Sequence, residues 1–158
     1  MSARVPMNWR NPVHILASGF GSGLAPRAPG TFGTLAAIPI VLLAQLLPAW
    51  QYAGVTLMMF VAGVFICGRA ARDWGVSDHP AIVWDEIVGL LVTMSLAPVG
   101  MAWLVAGFML FRLFDIAKPW PICSVDQRVH GGFGIMLDDV VAGIFAAAIL
   151  YLGVRWLS

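Results

Sequence analysis

Five apolar stretches alternate with polar segments along the chain, approximately Leu35 to Pro48, Tyr52 to Gly68, Ile87 to Ala97, Met101 to Phe114 and Val140 to Trp156. This pattern predicts an all-α, polytopic membrane bundle. Most stretches are shorter than the roughly 20 residues of a full helical span, so short or tilted helices and hairpins are expected. Ile87 to Phe114 is either one over-long span of roughly 40 Å at about 1.5 Å per residue, or a hairpin broken at Ala97-Pro98-Val99-Gly100. The hairpin is preferred here, because it returns Glu86 and Asp115 to the same side, where a single span would separate them.

Composition agrees with a membrane setting. Of 158 residues, 60% are hydrophobic and only 11% charged, far from the roughly half-apolar, quarter-charged soluble average. The length suits a single domain over residues 1–158, and a net charge of +1 gives no reason to expect nucleic acid as a partner. Cys67 and Cys123 make no disulfide framework. With the hairpin, Arg4, Arg10, Arg27, Arg69, Arg72, Arg112, Lys118 and Arg128 all fall on one side, cytoplasmic by the positive-inside rule, and Arg155 alone dissents. The seven tryptophans sort too, with Trp9, Trp74, Trp84 and Trp120 predicted at the inner interface and Trp50, Trp103 and Trp156 at the outer.

Three polar segments face that cytoplasmic side. The first, Gly19 to Pro39, has glycines at 19, 21 and 23, stiffening prolines at 26 and 29, and Thr31 placed to N-cap the following helix. A glycine-rich loop feeding a helix offers N–H groups to phosphate, with Arg27 beside it, though a tight turn explains the loop as well. The second, Arg69 to Glu86, ends in Asp85-Glu86. Adjacent helical residues point about 100° apart, which predicts one ligand and one supporting partner from this pair. Both could instead complement the helix N-terminus, as Asp78 and His79 could simply form a turn before Pro80. In the third, Phe111 to Asp139, Arg112 and Asp115 share a helix face, Lys118 follows, and Gly131, Gly132 and Gly134 read as a flexible loop. Asp138-Asp139 would then open the last helix, each acidic pair being followed one turn on by Gly89 or Gly143 for close helix approach.

The acids are harder to dismiss together than singly. Five converging carboxylates would repel by a few kcal/mol per close pair at an effective dielectric of about 20, and a divalent cation resolves that conflict. Oxygen ligands without His/Cys spacing favour Mg²⁺ or Mn²⁺, ions that commonly hold phosphate substrates.

Four blocks, GFGSGLAPRAPGTFGTLAAIP, IVWDEIVG, FRLFDIAKPWPI and HGGFGIMLDDVVAG, resemble the phosphatidylglycerophosphatase A family in order and over nearly the whole chain. The resemblance implies Mg²⁺-dependent hydrolysis of phosphatidylglycerophosphate to phosphatidylglycerol and phosphate at the bacterial inner membrane. It places the family's acidic motifs on Asp85, Glu86, Asp115, Asp138 and Asp139, with Arg112 and Lys118 in the basic block and Gly30 and Thr31 in the loop block. Glu86, Asp115, Asp138 and Asp139 are the expected metal ligands. Asp85 is expected to orient a ligand or act as base, and Arg27, Gly30, Thr31, Arg112 and Lys118 to meet the phosphoryl group.

Other phosphatase chemistries fail on the residues. Cys123 and Arg128 are separated by four residues, one short of a Cys-x5-Arg loop, and no two aspartates are two apart. Metal-assisted attack by water is left. An ion or proton-coupled transporter is the alternative reading, but its acids should lie within the spans. An assembly factor, whose acids merely cap helices, is a further one.

Overall fold

The computed structural model describes residues 7–157, so Arg4 lies outside the described residues. Seven α-helices follow in order: α1 (Pro12–Ala17), α2 (Pro29–Ala44), α3 (Ala49–Trp74), α4 (Trp84–Met94), α5 (Met101–Ala117), α6 (Ile122–Arg128) and α7 (Gly131–Leu157), with a 3-10 turn at Ser22–Leu24 after α1. No strand occurs among the described residues.

Local chemistry sets several boundaries. Asn11 caps α1, its side chain accepting the Val13 N–H at 3.0 Å, and Pro12 and Pro29 occupy the first turns of α1 and α2, where a missing N–H costs nothing. Gly75 ends α3 in the left-handed conformation, as helix stops commonly do. Thr31 does not cap α2. The helix begins two residues earlier at Pro29, with Ala28 in the capping position and no side-chain cap.

The chain does break between α4 and α5, across the segment containing Pro98. That break gives α4 a position its length explains. At 11 residues it reaches only about 16 Å, and it is buried along all its length but Val92. It is the central helix, packed against α2, α3, α5 and α7. By contrast, α3 and α7, with 26 and 27 residues, are long and apolar enough to cross a bilayer.

Two departures from the sequence reading follow from packing. First, α7 starts at Gly131, so the glycines read as a loop are helical and the acidic pair sits two turns inside the helix. Gly132 lies against the Val64 carbonyl and Gly68 of α3, a backbone approach that any side chain would block. The expected Gly89 and Gly143 contact does form, since a β-carbon on Gly143 would sit 2.6 Å from the Gly89 carbonyl oxygen. Second, Trp74 and Trp84 are not interfacial anchors. Both are buried, Trp84 donating its indole N–H to the Met59 carbonyl at 3.1 Å and Trp74 packing edge-on between His14 and His79. Trp9, Trp50, Trp120 and Trp156 are exposed.

Candidate functional site

The first turn of α4 carries Asp85 and Glu86 into the centre of the bundle, and α7 brings Asp139 to meet them. Ligand oxygens of the three lie within 4.8 Å of one another, and all three side chains are buried. Asp85 and Glu86 therefore share one cluster despite being neighbours on a helix. Asp85 turns back so that its Oδ1 accepts the Glu86 backbone N–H at 3.1 Å, and the extra methylene of Glu86 gives it reach.

This cluster is electrostatically incomplete. Glu86 Oε2 and Asp139 Oδ2 are buried and accept no hydrogen bond, a costly state for an acceptor that needs a donor or a cation. Burial brings these like charges together with little water to screen them, and the positive end of α4 offsets only part of that repulsion, being worth at most about 2 kcal/mol. Two orphaned oxygens and an all-carboxylate donor set fit a hard divalent cation.

Two cations border the cluster, each engaged with an acid. Arg112 Nη1 pairs with Asp115 one turn on and lies 3.8 Å from Glu86 Oε1, while its Nε is buried without a partner. Lys118, which closes α5 in the left-handed conformation, places Nζ 2.7 Å from Asp138 Oδ2. The Arg112 to Glu86 contact joins the end of α5 to the start of α4, as the hairpin requires. Gly30 completes this wall, since a side chain there would run into Glu86 Oε1 and the Arg112 guanidinium.

The predicted residues thus divide. Glu86 and Asp139 fall in the cluster, where Asp85 joins them as a third member and not only as a supporting partner. Asp115 pairs with Arg112 beside it, and Asp138, the neighbour of Asp139 on α7, pairs with Lys118. Arg27 is exposed in the loop before α2, and Thr31 is half-buried in its first turn. His79 is structural, its Nδ1 accepting the Ala81 N–H at 3.1 Å under the Trp74 ring.

Beyond Asp85 and Asp138 lies a cleft of about 100 Å³ lined also by Ser77, Asp78, His130 and the glycines that begin α7. Ser77 and His130 were not singled out from the sequence. Each sits in a short polar link, and only folding sets the two links side by side.

Comparison with known proteins agrees with this arrangement of blocks. The family profile described as Phosphatidylglycerophosphatase A matches residues 15–154. The chain is 48% identical over 156 residues to Phosphatidylglycerophosphatase A of Escherichia coli K12, covering 98% of this chain and 91% of that one. It is 44% identical over 149 residues to the Haemophilus influenzae protein of the same name, covering 93% and 91%. A Bacteroides thetaiotaomicron protein, provisionally named a phosphatidylinositol-3-phosphatase, is 36% identical over 150 residues, covering 90% and 92%. No solved structure matches.

Proposed function

This chain belongs to the phosphatidylglycerophosphatase A family, and on that premise we propose that it hydrolyses phosphatidylglycerophosphate to phosphatidylglycerol and phosphate. The enzyme is a phosphatase acting on a phosphate monoester. The 48% and 44% identical relatives are named for the glycerol lipid, which favours that substrate over the inositol lipid in the name of the more distant one. The observation that carries the chemistry is the buried trio Asp85, Glu86 and Asp139, two of whose oxygens have no partner.

Those three side chains would hold a divalent cation, Mg²⁺ by the hardness of the donor set. Asp115 and Asp138 complete the acidic set around it. When bound, the cation stabilises negative charge on the phosphoryl and departing oxygens. Arg112 and Lys118 exchange their carboxylate partners for the equatorial phosphoryl oxygens, and Gly30 lets the start of α2 stand close to that group. Thr31 and Arg27 extend the same face. Asp85 takes a proton from the attacking water. As the water oxygen bonds to phosphorus, the bond from phosphorus to the glycerol oxygen breaks, and that oxygen takes up a proton from solvent. Positioning and charge stabilisation are most of what phosphoryl transfer asks of a protein. The acyl chains remain in the bilayer, with the site at the cytoplasmic interface of the inner membrane.

The transporter reading is not favoured. Asp138 and Asp139 do lie within a helix long enough to span, but the relatives are named as phosphatases over nearly the whole chain. The test is phosphate release from phosphatidylglycerophosphate by detergent-purified protein with and without Mg²⁺, alongside Glu86→Gln and Asp139→Asn. Release that needs Mg²⁺ and falls at least about 100-fold in both folded variants is expected, since each removes a ligand. Undiminished release in both would sink the carboxylate site.

A further inference from the structure

We infer that the cleft beside the carboxylate cluster is a subsite for the hydroxylated head group of the lipid, the part released as the alcohol; this rests on the lipid phosphatase reading above. Asp85 belongs both to the cleft lining and to the cluster, so whatever fills the cleft lies next to a phosphoryl group held at the cluster. The lining has three carboxylates, Asp78, Asp85 and Asp138, with Ser77 and His130, and neither Lys nor Arg. Ionised carboxylates accept hydrogen bonds and donate none, so this wall takes hydroxyl donors. A hydroxyl can also accept from Ser77 or His130, which a metal ion cannot do.

A second cation suits the cleft less well. Among the described residues only Asp85, Glu86 and Asp139 converge as a group of metal-ligating side chains, and Asp138 already engages Lys118. Ser77, Asp78 and His130 are exposed, so a head group reaches them without the bundle opening. A phosphate carried on a polyol presents hydroxyls one or two carbons from the reacting oxygen. Phosphatidic acid, with its phosphate directly on diacylglycerol, presents none. The cleft therefore selects for lipids phosphorylated on a polyol head group, and Asp78 and His130 are specificity residues outside the metal-binding set.

The test compares wild type, Asp78→Asn and His130→Ala on phosphatidylglycerophosphate, on its analogue lacking the head-group hydroxyl, and on phosphatidic acid. Wild type should favour the hydroxylated lipid over both others by about tenfold or more in kcat/KM, the worth of a hydrogen bond to a charged group. Each substitution should bring that ratio toward one. A wild-type ratio near one, or a ratio that neither substitution moves, would overturn the subsite. Calorimetric binding of short-chain phosphatidylglycerol and its deoxy analogue to wild type separates the two readings without turnover. Hydroxyl-dependent binding by a protein that releases no phosphate upholds the subsite and overturns the phosphatase reading, whereas equal binding of the two lipids overturns the subsite.

Discussion

At the scale of single residues, Glu86 carries the most conflicting demands. Its Oε1 faces Arg112 and the backbone of Gly30, while its Oε2 is buried with no partner. Gly30 is therefore a residue of the site that contributes no functional group. Gly30→Ala would put a methyl where Glu86 Oε1 and the guanidinium now lie, and both are ends of flexible side chains that can give way. Fold stability should hardly change, while the carboxylate and its cation are displaced together. Phosphate release should fall roughly 10- to 100-fold, as it does when groups supporting a metal ligand are lost, with the apparent Tm nearly unaltered. Normal release by Gly30→Ala would remove the start of α2 from the site. The acidic pairs were legible in sequence because carboxylates beside apolar runs have few structural reasons to cluster. Asp85's place in the trio was not, because the 100° rule treats side chains as rigid spokes. It holds for Asp138 and Asp139, which diverge to Lys118 and to the cluster. It fails for Asp85 and Glu86, where one side chain folds back and the other reaches further.

At the scale of elements, the approach of α7 to α3 and α4 determines where Asp139 stands. Gly132 rests on the Val64 carbonyl two turns before the acidic pair, and Gly143 rests on the Gly89 carbonyl one turn after it. Asp139 is thus fixed from both sides by backbone contact. Gly132→Ala forces α7 away from α3 and should lower the apparent Tm by about 2 to 10 °C, the range expected from about 1 to 3 kcal/mol of overpacking in a chain of this size. Activity should fall with it. Gly54→Ala is the matching control, since Gly54 lies in the exposed part of α3 with open space around it, and alanine there should stabilise the helix by about 0.5 to 1 kcal/mol. Thermal unfolding of both variants beside wild type checks the pair, and equal shifts would mean that the glycine contact does not position α7. The same contact explains why the start of α7 was misread. Glycines break helices in water, and only the partner helix reveals that these replace side chains with a close crossing. Pro98 gave the opposite case, a break legible locally because a proline close to Gly100 favours a turn, although Pro39 alone does not interrupt α2.

At the scale of the whole molecule, the helices alternate so that the start of α2, the end of α3, the start of α4 and the end of α5 gather at one end with the first turns of α7. Arg112 against Glu86, Lys118 against Asp138 and Gly68 against Gly132 tie that end together. Arg27, Arg69, Arg72, Arg112, Lys118 and Arg128 flank it in sequence, leaving Arg155 at the far end of α7. A bundle so polarised should insert with the site toward the cytoplasm, because basic residues near helix ends resist translocation. Ser77 marks the site end, and Val99, 69% exposed in the α4 to α5 turn, marks the other. With Cys123 replaced by serine, Ser77→Cys should react with a membrane-impermeant maleimide only in inside-out vesicles and Val99→Cys only in right-side-out ones. The reverse pattern would release phosphate outside the cell and contradict the basic residue distribution. Labelling of both from one face would mean that α4 and α5 do not carry their turn across the bilayer. The site would then be held by a bundle inserted from one side, with α3 and α7 as its only full spans.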